Sequence, residues 1–182
     1  MTKTQKKRKN ERKTDYKARL TLLKSEIPRI VVRKTNKYLI AQYVKSYEGQ
    51  DSIIVGVTSK DLLDYGWDKK YLGSLKSIPV AYLTGKLLGN KIHEKKHKEA
   101  ILDIGLIRNV SGSRIYAVLK GLVDANIKIP FNEKAFPSEE RISGKHLKED
   151  VRKMIDKVKE KIKWNSQKEK YKLVELEPKW VI

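Results

Sequence analysis

Between Pro28 and Ser59 the chain carries three consecutive runs rich in Ile, Val and Tyr, separated only by short polar turns. They cover residues 29–35, 38–47 and 52–59, with Asn36-Lys37 and Glu48-Gly49-Gln50-Asp51 between them. Runs of β-branched and aromatic residues of this length read as strands, and connectors this short join antiparallel neighbours. A three-stranded meander is therefore the framework on which the rest must pack. Gly56, inside the third run, marks a place where another backbone is expected to come close.

On either side the period is helical. Tyr16, Leu20 and Leu23 form one stripe within residues 14–26, ringed by Arg12, Lys13, Lys17, Arg19 and Lys24 and closed by Pro28. After a mixed connector at 61–73, Ser77 and Pro79 start a helix. Val80, Leu83, Leu87 and Leu88 carry it to an expected cap at Gly89-Asn90. Residues 100–106 are almost continuously apolar, which fits a short buried strand. A polar turn at 108–113 leads to a second amphipathic helix with Ile115, Val118, Leu119 and Leu122, in which Gly121 is tolerated. Residues 127–137 read as irregular. Leu147, Val151, Met154, Val158 and Ile162 set a last helix from about residue 145, and 165–182 reads as a tail holding Trp180. The order β-β-β-α-β-α followed by C-terminal helix predicts an α/β fold on a mixed sheet, with the two helices around the fourth strand covering the sheet's two faces.

Charge narrows the partners. Lys and Arg number 42 against 22 Asp and Glu, a formal net charge of +20. An excess of that size repels itself in a compact domain unless a polyanion neutralises it. Nucleic acid is the commonest such partner, because each phosphate met by Lys or Arg releases a counterion. Thermophilic surfaces carry balanced charge instead. No long amphipathic helix joins a bare apolar face to Trp or Phe anchors, so a membrane surface is not the expected partner. Without cysteine, disulfides and thiolate metal sites are excluded. Residues 1–13 are polar and basic with no apolar segment, unlike a secretory signal, and no run approaches a membrane span. The expectation is a soluble, cytosolic, strongly basic protein.

The strings that suggest catalysis are weak. His93-Glu94-Lys95-Lys96-His97 matches the H-E-x-x-H pattern of zinc peptidases. Lysines inside and beside the motif disfavour a further cation, and the expected cap at Gly89-Asn90 would end the helix before it. Asp103 lies in an apolar strand, but two-metal nuclease chemistry needs several converging carboxylates, and the first three strands offer only Asp51 in a turn. A structural Asp hydrogen-bonded at a strand end is the simpler reading. Asn109-Val110-Ser111 is a chance sequon without a signal peptide. Ser111-Gly112-Ser113 opens a helix where amides can hold a phosphate, with Arg114 adding charge. Neither a P-loop nor a GxGxxG string exists.

What remains is distributed. Arg33, Lys34, Asn36 and Lys37 cluster in the first hairpin, followed by Tyr38, Gln42 and Tyr43. A polar, aromatic-bearing sheet face beside basic groups suits RNA, whose exposed bases stack on rings and whose riboses offer hydroxyls.

The run Pro28-Arg29-Ile30-Val31-Val32-Arg33-Lys34-Thr35-Asn36-Lys37-Tyr38-Leu39-Ile40-Ala41-Gln42 resembles the signature of the 5S rRNA-binding protein family of the large ribosomal subunit, number eighteen in the bacterial naming. Pro79-Val80-Ala81-Tyr82-Leu83-Thr84-Gly85, Leu102-Asp103-Ile104-Gly105-Leu106 and Gly112-Ser113-Arg114-Ile115-Tyr116-Ala117 resemble its archaeal and eukaryotic branch. Pro137-Ser138-Glu139-Glu140-Arg141-Ile142-Ser143-Gly144 also fits. Together they span roughly residues 15–150, and the length suits the archaeal type.

The resemblance implies a mixed α/β fold similar to the ribonuclease H-like motif without its active site, and no catalysis, metal or cofactor. It implies RNA contacts from Arg8, Arg12, Lys13, Lys17 and Arg19 on the arm, and from Arg33, Lys34, Asn36, Lys37 and Gln42 in the hairpin. Thr58 and Ser59 match a small-hydroxyl motif near the RNA, and Arg114 belongs to a turn corresponding only loosely to the bacterial glycine-rich turn. The implied partners are 5S rRNA, large-subunit rRNA and neighbouring large-subunit ribosomal proteins, with no membrane and no small-molecule substrate, in the cytoplasmic ribosome. The expected divisions are a basic disordered arm at 1–13, an RNA-binding α/β domain at 14–144 and a C-terminal helix and tail at 145–182. The rivals are a ribonuclease H-like nuclease acting through Asp103 and a general basic DNA- or chromatin-binding protein, with the zinc peptidase behind both. The stretch 91–98 lies outside the resemblance.

Overall fold

The computed structural model describes residues 7–11 and 13–175. The three expected strands form: β1 (Arg29–Lys34), β2 (Leu39–Tyr47) and β3 (Gln50–Thr58). They pair antiparallel as a meander, and β4 (Ile101–Asp103) adds parallel to β1, so the sheet order is β3-β2-β1-β4. The sheet is mixed and flanked by helices, as the element order predicts. The second turn is tighter than expected: Glu48 and Gly49 alone form it, both with positive φ (48° and 80°). A two-residue loop of that kind matches the strands' twist. It moves Asp51 out of the turn and into β3, opposite Ser46.

Five helices are of α type before the last. They are α1 (Lys7–Asn10), α2 (Tyr16–Lys24), α3 (Ile78–Glu94), α4 (Arg114–Val123) and α5 (Glu139–Ser143). The last, α6 (Glu149–Glu175), extends beyond residue 165, where the sequence places a tail. Trp180 lies outside the described residues. The connector at 61–73 folds into two 3₁₀ segments, Ser59–Leu63 and Lys69–Ser74, that bury Leu62 and, between them, Trp67.

The helices α3 and α4 do not cover opposite faces. They pack against each other on the same face of the sheet, over Ile30, Val32, Leu39, Ala41, Tyr43, Val55 and Val57. Two glycines explain this. A Cβ on Gly85 would collide with the Val118 carbonyl oxygen, and one on Gly121 with the Tyr82 carbonyl oxygen. Gly121 is thus required for the helix crossing rather than merely tolerated. Gly89 likewise faces the Ala125 Cβ and sits within the helix, which continues to a C-cap at Lys95 instead of ending at Gly89-Asn90. Gly56, by contrast, meets only Gln42 and Ile53 side chains at ordinary distances, so no backbone approaches it. Helix α6 closes the outside of α3 with Val151, Met154, Ile155, Val158 and Ile162. Among the described residues, the sheet's other face carries no packed helix layer, only the short helix α2, held over its Arg29 end through Arg19 and Asp51.

Candidate nucleic-acid interface

Strand alternation decides what the open face carries. The register sets Val31, Gln42 and Gly56 in one row, and Arg33, Ile40 and Thr58 in the next. Towards the start of β1 the same face holds Arg29, Val44, Ser46 and Asp51.

A chain of alternating charges crosses this face. Arg19 of α2 donates to Asp51 Oδ2 at 2.9 Å. The Arg29 guanidinium donates to Asp51 Oδ1 at 2.7 Å, to Ser46 Oγ at 3.0 Å and to Asp103 Oδ2 at 3.0 Å. Arg33 donates to Asp103 Oδ1 at 3.1 Å and to the carbonyls of Val32 and Asp103, both at 2.9 Å. The Gly105 amide completes Asp103 at 2.8 Å. The Arg29 side chain is 3% exposed and that of Asp103 is 10% exposed, so the centre of the chain is a buried ion pair with its hydrogen bonds satisfied. Burial alone would raise the Asp51 carboxyl. The Ser46 hydrogen bond together with Arg29 and Arg19 outweighs it and holds the group below the usual carboxylate range.

The chain fixes where α2 lies. This helix buries none of its residues. Asp15 caps it by accepting from the amides of Lys17 and Ala18, and Arg19 ties it to the sheet. Between α2, the preceding arm and the β1–β4 side of the sheet runs a groove of about 600 Å³. Arg8, Lys13, Lys17, Arg19 and Arg33 line it, five residues expected from the sequence to meet RNA. Arg8 is steadied by Thr14 Oγ1 at 3.0 Å, and Lys13 pairs with Glu11 at 2.8 Å. Arg12 lies outside the described residues.

Other expected residues are distributed differently. Lys34, Asn36 and Lys37 stand exposed at the tip of the first hairpin. Gln42 is half-buried on the open face. Thr58 gives its hydroxyl and amide to Asp61, at 2.6 and 3.2 Å. Ser59 is a correction: it is 0% exposed, and its hydroxyl accepts the Leu39 amide at 3.1 Å, so it serves the fold and presents nothing to a ligand. Arg114 opens α4 and is not among the residues lining the groove.

Several residues escaped the sequence reading. Lys60 sits over the Tyr38 ring at 4.5 Å, and Lys76 donates to the Asn36 carbonyl at 3.0 Å, so both enlarge the basic hairpin tip. Arg29 and Asp51 organise the charge chain. A basic residue directly before the apolar run Ile30-Val31-Val32 was the available signal for Arg29; Lys60 and Lys76 gave none.

The catalytic alternatives meet specific geometry. Asp103 is engaged by two arginines and an amide, as a structural Asp at a strand end should be. Helix α3 does reach His93, whose ring bonds the Ala125 carbonyl, but His97 lies beyond the helix end against the Tyr43 ring. The two His therefore do not share a helical face. Among the described residues no group of three or more His, Asp or Glu is placed to hold a metal, and no helix is long and apolar enough to cross a membrane. What the open face offers is guanidinium and ammonium groups held on a fixed frame, which suits phosphates.

Comparison with known proteins identifies a family. A family model described as ribosomal large subunit proteins 60S L5 and 50S L18 matches residues 2–99 and 90–132. A large ribosomal subunit protein uL18 of Methanoculleus marisnigri is 46% identical over 142 residues, 78% of this chain and 79% of that one. That of Korarchaeum cryptofilum is 47% identical over 141 residues, 77% of this chain and 70% of that one. That of Methanosphaera stadtmanae is 42% identical over 154 residues, 85% of this chain and 78% of that one.

Proposed function

The chain belongs to the family of large-subunit ribosomal proteins 60S L5 and 50S L18, and from that premise we propose that it binds 5S rRNA and helps dock it onto the large-subunit rRNA in the central protuberance. It acts as a structural constituent of the large subunit, in the cytoplasmic ribosome, beside neighbouring large-subunit proteins. Its relatives are ribosomal structural proteins, so the nuclease and peptidase readings are not taken up. The ribonuclease H-like character of the fold is part of the same proposal.

The observation that carries the reading is the groove that gathers Arg8, Lys13, Lys17, Arg19 and Arg33 between α2, the preceding arm and the β1–β4 side of the sheet. Lys and Arg neutralise phosphates and supply most of the affinity. Gln42 and Asn36 fix register on riboses or base edges. The charge chain through Arg29 holds the frame, so less ordering has to accompany binding.

The test is a filter-binding titration with 5S rRNA at several salt concentrations, against tRNA and duplex DNA. Arg33→Ala with Lys37→Ala should weaken 5S binding about tenfold or more and reduce the salt slope by about 1–2. Equal binding of all three nucleic acids, or a double variant with unchanged affinity and slope, sinks the assignment to this face.

A further inference from the structure

A second basic surface lies apart from the groove and the hairpin tip to which 5S rRNA binding is assigned. Lys91, Lys95, Lys96 and Lys98 follow one another along the end of α3 and the turn after it, interspersed with Glu94 and Glu99, and the Glu99–Lys128 bridge brings Lys128 beside them. Lys95, Lys96, Lys98 and Lys128 are exposed. Lysines at a helix C-terminus complement its dipole, which accounts for Lys91 and Lys95. It does not account for Lys98 and Lys128, which arrive from other segments.

The scaffold beneath them is closely tied. Lys96 takes a left-handed conformation (φ 60°) that ends the helix, and the His97 amide returns to the Ile92 carbonyl at 3.2 Å. The His97 ring lies 5.3 Å from the Tyr43 ring, and the Tyr43 hydroxyl donates to the Glu99 carbonyl at 3.1 Å. The Lys128 amide donates to Lys98 at 2.7 Å, and the Ala100 amide donates back to Lys128 at 3.0 Å. The lysines thus project from a turn fastened to β2 and to the segment after α4.

Its position follows from the strand register. Arg29 pairs with Ile101, and the Ile101 amide donates to the Pro28 carbonyl, so the turn adjoins the start of β1. The Asn36-Lys37 tip adjoins its end. A six-residue strand separates the two by about 17 Å.

We infer that the turn formed by Lys95, Lys96 and Lys98, with Lys128 beside it, is a second phosphate-binding surface that takes the backbone of a second RNA segment while the groove and hairpin hold the first. The inference rests on the proposed function and adds the surface through which docking is made. Compact ammonium charges on flexible stems, with no exposed ring among them, suit phosphates in sequence-independent contact rather than base edges.

The experiment captures a large-subunit rRNA transcript on immobilised 5S rRNA through the full-length protein. The test variant combines Lys95→Ala, Lys96→Asn, Lys98→Ala and Lys128→Ala, Asn being chosen because it accepts the left-handed backbone. A charge-matched control combines Lys145→Ala, Lys148→Ala, Lys153→Ala and Lys157→Ala. The test variant should bind 5S rRNA within about twofold of wild type yet capture the transcript at least about tenfold more weakly, with its salt slope reduced by about 3. The control should capture normally. Wild-type capture by the test variant, an equal loss in the control, or an equal loss of 5S binding overturns the inference. So does equal, patch-dependent binding of polyglutamate, which would make an acidic protein the occupant. Should wild type fail to bind 5S rRNA, the proposed function falls, and direct titration of the transcript with wild type and the test variant still decides the surface.

Discussion

The two faces of one sheet are held by different physics. On the covered face, α3 and α4 approach until glycine hydrogens touch carbonyl oxygens, and the contact is van der Waals packing with buried aliphatic side chains. On the open face, α2 buries no residue and is tied through Arg19, Asp51, Arg29, Asp103 and Arg33. Packing is nearly indifferent to salt and pH, whereas exposed ion pairs are not. On the proposed function the open face meets a polyanion, and its order then has to come from charge rather than from an apolar layer. The covered face makes the fold, and the open face keeps its cations positioned.

That contrast can be broken at its strongest point first. Gly85→Ala together with Gly121→Ala pushes two Cβ atoms into backbone, which cannot give way as a flexible side chain can. We expect a loss of about 5 kcal/mol or more, read by urea denaturation at constant ionic strength and independent of salt. A well-folded double variant would mean that the helices can separate without loss. On the open face, Arg29→Ala removes the one buried guanidinium shared by Asp51 and Asp103, leaving each carboxylate only its more exposed arginine (Arg19 and Arg33), and should cost about 3 kcal/mol. Arg29→Met, which restores volume, should not rescue it unless Asp103→Asn is added; full rescue by Met alone would show that Arg29 acts by packing.

A smaller effect is expected with pH. The folded Asp51 carboxyl lies below its unfolded value, so its stabilisation is fully present above the ordinary value near 3.8 and is lost as pH falls through the folded one. Stability of the wild type should therefore fall more steeply with acid than that of Asp51→Asn, as measured by denaturation across pH 6 to about 2. Parallel curves would remove Asp51 from the account. Smallest of all, Arg19→Ala should change global stability by only about 0–1 kcal/mol, since both partners of that pair are about one-third exposed. Its effect should be confined to hydrogen exchange in α2, and high salt should make the wild type resemble the variant there. Uniform exchange in both would mean that the arm helix is fixed by something other than this pair.

Much of this architecture was legible beforehand. The meander, the helix starts at Ser77 and Ser113, and the apolar stripe of α6 all follow from local periodicity, which needs only neighbouring residues. Asp103 was readable as structural because a lone carboxylate in an apolar strand has to find a partner. The errors have one origin. Gly56 and Gly89 looked like a close approach and a cap, and Gly121 looked incidental, because a glycine's meaning depends on what faces it across the fold. Ser59 was assigned to RNA by its place in a motif, whereas its burial is set by the β2 amide that it satisfies. Arg29 and Asp51 are 22 residues apart, and no spacing rule joins them to Asp103 or Arg19.

By itself, the sequence determined a strongly basic α/β protein built on an antiparallel meander, with cation clusters in the arm, the first hairpin, the 91–98 stretch and the C-terminal helix. Side-chain period and net charge are properties of the chain, and they survive any arrangement of its elements. Only the tertiary structure decided that both helices share one face, that α2 is tied over the other by ion pairs, and that the cations of the arm and α2 gather with Arg33 in one groove. Those outcomes depend on contacts between residues distant in sequence, where the steric limit of a Cβ against a carbonyl, and the cost of a buried carboxylate without a partner, select one packing from many.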